Sequence, residues 1–180
     1  MQAFSDAGDA VKVSKARTEC APADLGRLYD EHAPALYRLL LAILGSAEDA
    51  QDTLGEVFLK VARRDLRRIR NPRAYLLASA RHQAVSMLRR RGREILADPG
   101  DHRFFDAASL DPRRALTANR AEAALRELPP EQREVVVLKV YEGLAFAEIA
   151  AITRARPNTV ASRYRYAMEK LRRALEESSP

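Results

Sequence analysis

The sequence holds 180 residues, 47% apolar and 31% charged, with a formal net charge of +6 and a pI of about 9.8. Such a chain can bury a core in one domain or two small ones, which excludes wholesale disorder, and its richness in Ala, Leu, Arg and Glu favours helices. The one cysteine, Cys20, excludes an intramolecular disulfide; His32, His82 and His102 stand in unlike contexts with no Cys or carboxylate cluster, so no metal or other cofactor is expected.

In chain order, residues 1–22 mix charged and small residues without a period and read as a mobile tail. The opening MQAFSDAGDAVKVSKA lacks the apolar run of a secretory signal. Ala35–Leu44, ALYRLLLAIL, is too short to cross a bilayer and contains Arg38. No membrane insertion and a cytoplasmic location are therefore expected. A first helical module spans residues 23–92. Leu25, Leu28 and Tyr29 recur at helical spacing, as do Leu36, Leu39, Leu40 and Ile43. Ser46 stands where it can cap a second helix, with Glu48 and Asp49 at the positive end of its dipole. Asn71 and Pro72 open a third, which runs to about Arg91. His32, Tyr75 and part of Phe58 are expected to fill the core.

Gly92, Pro99, Gly100 and Pro112 then break the period, and residues 93–111 read as a linker with Phe104 and Phe105 as docking points. Asp111-Pro112 reopens helix, and a second module spans residues 112–180. Its breaks fall at Leu128–Gln132, at Gly143 and at Thr153–Asn158. EVVVLKVY is β-branched, but its proline-led start and following glycine make it a buried helix. The expected fold is all-α: two small helical modules joined by a flexible linker.

Charge is unevenly distributed. RARPNTVASRYRYA, Arg154–Ala167, contains four arginines and no acid. It reads as the turn and second helix of a helix-turn-helix, after a first helix of about Ala147–Ile152. Val160, Tyr164, Ala167 and Leu171 form one stripe at about 100° per residue. Arg156, Asn158, Thr159, Ser162 and Arg163 gather near the start of the second helix, where such modules meet base edges, and Arg165 lies further along, where a helix meets phosphates. A basic surface helix is the plainer alternative, but the missing counter-charge favours DNA. Lys60–Arg93 holds twelve Lys or Arg and one acid, Asp65, which suits a phosphate backbone. The acids Glu48, Asp49, Asp52 and Glu56 precede it.

In order and content, the two modules resemble regions 2 and 4 of a bacterial sigma factor of the extracytoplasmic-function group, the compact branch of the sigma-70 family. LYDEHAPALYRLLLAILGSAEDAQDTLGEVFLKV and NPRAYLLASARHQAVSMLRRRGR resemble the two halves of region 2. In the later module Leu128, Pro129, Arg133, Gly143, Glu148, Ile149, Ala150, Thr159, Val160, Ser162 and Arg163 stand where the region 4 pattern has them. The resemblance implies a factor that binds core RNA polymerase and directs promoter-specific initiation, region 2 recognising and melting the −10 element and region 4 reading the −35 element. It implies Glu48, Asp49, Asp52, Glu56 and Phe58 on the polymerase-binding helix. It implies Arg70, Arg73, Arg81, His82, Ser86, Arg89 and Arg90 toward the −10 DNA. Arg156, Asn158, Thr159, Ser162, Arg163 and Arg165 would read the −35 element. Gly55 replaces the family's usual Gln, His82 and Ser86 its Asn and Asp, and Ala62 its Trp.

The alternative is a stand-alone helix-turn-helix regulator that does not act through polymerase; it would need no acidic helix at residues 47–58. An enzyme is not expected, nor a small-molecule substrate. There is no Gly-rich phosphate loop, Ser/His/Asp set or carboxylate pair in a recognisable context. The chain ends at Pro180 without a sensor domain, so regulation by a separate anti-sigma protein is expected.

Overall fold

The computed structural model describes residues 22–64, 69–92 and 112–177. The expected linker, and the expected tail except Pro22, lie outside them, with Cys20, His102, Phe104, Phe105 and Asp111. Every regular element among the described residues is helical.

Helix α1 (Pro22–Leu44) runs unbroken through Pro34. A proline there removes one amide donor, orphaning the carbonyl of Asp30. Pro34 and Asp30 are both exposed, so water reaches that carbonyl. The second half of α1 is apolar on every side, and Leu36, Leu39, Leu40, Leu41, Ala42, Ile43 and Leu44 are all buried. A helix that is hydrophobic all round must be covered all round. Helices α2 (Ala47–Ala62) and α3 (Pro72–Arg90) cover part of it. Both start at the expected caps: Ser46 Oγ accepts from the Asp49 amide at 3.2 Å, and Asn71 Oδ1 from the Ala74 amide at 3.0 Å. His32 and Phe58 are buried, and Tyr75 packs half-buried against the core.

The C-terminal module comprises α4 (Pro112–Arg126), α5 (Pro130–Val136), α6 (Phe146–Thr153) and α7 (Pro157–Glu177). EVVVLKVY is the buried helix expected, but its last turn, Val137–Tyr141, widens into a π turn. The Glu142 amide reaches back to the Val137 carbonyl at 3.2 Å, and Gly143 follows at φ +67. The left-handed glycine ends the helix and lets the Leu144 amide bond the Leu138 carbonyl at 3.1 Å.

The two modules do not have separate cores. Helix α1 packs on α5 and the π turn, α3 packs on α6, and one cluster of buried apolar side chains runs from Leu36 through Leu77 to Val137 and Ile149. Arg133 pins this junction. Its buried guanidinium donates to the Arg126 and Leu128 carbonyls at 2.6 and 3.0 Å and to the Ala42 carbonyl at 3.3 Å. One cation thus serves orphan carbonyls at the C-terminal ends of α4 and α1, where a positive charge also suits the helix dipole.

Gly55 lies exposed in the middle of α2, and a Cβ added there meets nothing within 4 Å. Helical glycine costs about 0.5–1 kcal/mol relative to alanine. Gly55→Ala is therefore expected to stabilise the protein by that amount, read as a rise in the urea midpoint at unchanged slope.

Candidate nucleic-acid and polymerase interfaces

Helices α6 and α7 form the helix-turn-helix. Ile149 and Ile152 on α6 and Val160 and Ala167 on α7 are buried, while Tyr164 packs against Phe146 with the rings tilted and their centroids 5.6 Å apart. Glu148 reaches back to the Ala145 amide at 2.7 Å and steadies the start of α6. Arg154 makes the turn at φ 54, a left-handed conformation unusual for a residue with a Cβ. The Arg156 carbonyl then accepts the first bonds of α7, from Thr159 and Val160 at 2.9 and 3.1 Å.

The first turn of α7 holds no acid, so the positive end of its dipole has no local counter-charge. Arg156, Asn158, Thr159 and Arg165 are exposed around it. Ser162 is half-buried and its hydroxyl donates to the Thr159 carbonyl at 3.0 Å, while Arg165 lies over the Tyr166 ring, 5.1 Å from its centroid. Arg163 differs from these. It is half-buried, and its charge is felt by Glu134 on α5.

The seven residues expected toward the −10 DNA divide. Arg70 is exposed just ahead of α3. On α3, His82, Ser86 and Arg89 lie within about 60° of one another at helical spacing, with Arg90 beside them. His82, Arg89 and Arg90 are exposed and Ser86 is half-buried. His82 also lines a cleft between α2 and α3 with Lys60, Arg64, Tyr75 and, from the turn of the helix-turn-helix, Arg154. Arg73 and Arg81 point the other way, toward the C-terminal module. Arg73 Nη2 donates to Glu142 Oε2 at 2.9 Å and to the Glu142 carbonyl at 2.7 Å; Arg81 Nε donates to Glu134 Oε1 at 2.5 Å.

The basic stretch is thus less starved of counter-charge than its sequence implies. Glu134 and Glu142 answer Arg81 and Arg73, and Asp49 answers Arg91 at 2.6 Å. These acids lie 42 to 69 residues away from their partners, beyond the reach of any local pattern.

The acidic helix α2 divides too. Glu48, Asp52, Gly55 and Leu59 fall within about 60° on one exposed stripe. Asp49 and Glu56 turn toward α3, where Glu56 accepts from Gln83 Nε2 at 2.9 Å. Phe58 is buried against Tyr29, with ring centroids 4.9 Å apart, and Tyr29 is the partly exposed member of the pair. Sequence spacing missed Leu59, which is 65% exposed and extends the acidic stripe with an apolar side chain. An outward leucine on an amphipathic helix is its signal.

Two family models match the chain: sigma-70 region 2 over residues 28–94 and sigma-70 region 4 over residues 118–171. The chain belongs to the sigma-70 family. Among its relatives, the extracytoplasmic-function RNA polymerase sigma factor SigL of Mycobacterium tuberculosis is 31% identical over 155 residues, covering 83% of this chain and 88% of that protein. SigE of Mycolicibacterium smegmatis, of the same group, is 33% identical over 162 residues, covering 84% of this chain and 62% of its own length. The sigma factor RpoE of Bartonella quintana, solved with the anti-sigma factor NepR, shares the fold with a TM-score of 0.65 at 23% identity, over 87% of this chain and 99% of that one. CnrH, solved with the cytosolic domain of CnrY, gives 0.60 at 20% identity, over 88% and 92%. A region 2 and a region 4 in one chain make a sigma factor of the extracytoplasmic-function group, not a stand-alone helix-turn-helix regulator. No described helix is long and apolar enough to cross a membrane, and no described His, Cys, Asp and Glu cluster could hold a metal ion.

Glu134 makes the junction pH-sensitive. Burial raises its carboxyl above the ordinary glutamate value, outweighing the opposing pull of Arg81 and Arg163. A raised folded-state value means the folded form holds the proton more tightly than the unfolded chain. The stability this confers is whole below the ordinary range, about 4.3, and is lost as pH rises through the raised value. Glu134→Gln is neutral throughout, so it is expected to gain stability relative to the parent as pH rises from about 4.5 to 8. Thermal melts of both proteins across that range read the difference.

Proposed function

We propose that the chain binds core RNA polymerase through the N-terminal module and carries it to promoters. The exposed Glu48–Asp52–Leu59 stripe and Tyr29 meet the polymerase. The α3 cations meet the −10 DNA and help melt it, and the start of α7 reads the −35 element. The single observation that carries this reading is the acid-free, exposed start of α7, a helix-turn-helix reader, in the same chain as a module whose outward faces are acidic on α2 and basic on α3. The factor performs no reaction of its own and works in the cytoplasm, where polymerase is.

An anti-sigma protein is the proposed regulator, as the fold neighbour solved with the anti-sigma factor NepR supports. The C-terminal module presents an apolar groove of about 860 Å³ between α4, the π turn and α7, lined by Leu125, Val136, Val140, Met168, Leu171 and Leu175.

Two substitutions test the two contacts. Asp52 is exposed and helix-borne, so Asp52→Arg is expected to leave folding intact and to lower co-purification with core polymerase. Equal co-purification at equal yield would count against the α2 assignment. Asn158→Ala is expected to relax preference at one −35 position at a cost of about 1–3 kcal/mol, whereas Arg165→Ala lowers all sequences alike and reduces the salt slope by about one unit. Promoter activity against a library randomised at −35, at several salt concentrations, separates the two patterns.

A further inference from the structure

The described residues expose five large apolar side chains: Tyr29, Leu59, Val140, Tyr166 and Met168. Tyr29 and Leu59 belong to the face proposed for polymerase, and Tyr166 lies under the Arg165 guanidinium. Val140, 54% exposed, and Met168, 39% exposed, have neither role. Both line the groove of about 860 Å³ between α4, the π turn and α7, with Leu125, Val136, Leu171 and Leu175. Exposed apolar patches of this kind mark binding surfaces. The rim carries both signs, from Glu169, Arg172 and Glu176. The Arg172–Glu176 pair is exposed and loose, at 3.8 Å, so exchanging its partners costs little.

One wall of the groove is α4, which starts at Pro112, where the segment 93–111 ends. That segment carries Phe104 and Phe105 side by side, with Arg103 before them and Asp106 after them. Phe105 stands seven residues before Pro112. Seven extended residues span up to about 23–25 Å. Ala121 and Leu125, the α4 residues of the groove, stand nine and thirteen residues after Pro112, which places them about 14 and 20 Å along the helix. The tether therefore reaches the α4 wall along its length. A short tether also gives an effective concentration on the order of millimolar, so at micromolar protein the chain's own segment outcompetes a second copy.

We propose that Phe104 and Phe105 dock in this groove, with Arg103 toward Glu169 and Glu176 and Asp106 toward Arg172. The chain then hides Val140 and Met168 from water by itself, and a partner protein gains the groove only by displacing the two rings. The inference stands apart from the polymerase and DNA readings, since none of these residues belongs to those contacts.

The chain has no tryptophan, so Phe104→Trp and Phe105→Trp each place a single indole in the full chain. Emission wavelength and acrylamide quenching read its exposure. At least one of the two is expected to emit to the blue of the same chain in urea and to be quenched several-fold less. Val140→Glu, Val140→Lys and Met168→Glu, each added to that background, are expected to return the emission to the red and restore quenching, with far-UV circular dichroism unchanged. Glutamate and lysine change the charge in opposite directions, so a shared release reports the lost apolar contact. Fully solvated emission from both single-tryptophan chains would overturn the docking. A protected indole that none of the groove substitutions releases lies elsewhere, and would overturn it too. Protection that grows with protein concentration would give the groove to the segment of a second copy and would overturn docking within one chain.

Discussion

Glu142 receives four hydrogen bonds from two arginines, and the relation between the two modules depends on it. A carboxylate this deeply buried is tolerable only when it is paired and its lone pairs are filled. Arg38 comes from α1 and Arg73 from the first turn of α3, so the pairing fixes where the π turn lies against the N-terminal bundle. Once it is fixed, α5 lies on α1, α6 lies on α3, and Arg133 comes within reach of the buried C-terminal end of α1 at Ala42. The apolar cluster supplies most of the attraction across this junction, since burial is non-directional and large. The ionic contacts supply its register.

That division of labour separates what draws the modules together from what sets their register. Apolar packing between α1 and α5 has many near-equivalent arrangements, whereas a carboxylate clasped by two guanidinium groups has few. Arginine is suited to setting register because its planar fork pairs with carboxylate in a fixed geometry. The arginines of α3 would repel one another without partners, and two acids of the same chain relieve that repulsion at Arg73 and Arg81.

Much of the fold is legible in the sequence because it rests on local signals. Ser46 and Asn71 cap the helices they precede, Pro157 opens α7, and Gly143 ends the helix before it. The stripe of Val160, Tyr164, Ala167 and Leu171 is the inward face of α7 because helical period and apolar character coincide there. The shared core is not legible in this way. Leu39–Leu44 is apolar on every side, which demands cover on every side, but its two covers lie far apart in the chain. The π turn is equally hidden, since no residue in VLKVY distinguishes it from an ordinary helix. Among the candidate site residues, those at the start of α7 are recognised by what is absent around them, namely acids. Arg73, Arg81 and Arg163 look the same as their neighbours in sequence, and only tertiary packing sorts them from His82, Ser86 and Arg89. Phe58 shows the same limit: a period marks it as part of α2, but Tyr29 decides that it faces inward.

A sigma factor of this group makes polymerase promoter-specific. Run-off transcription with purified core polymerase on genomic promoter fragments, with and without the chain, tests it most directly. Discrete transcripts from a small set of fragments, sharing one −35 and one −10 sequence, are expected only when the chain is present. Transcripts that are independent of the chain, or tight sequence-specific binding by the chain with no transcript from any bound fragment, would contradict it.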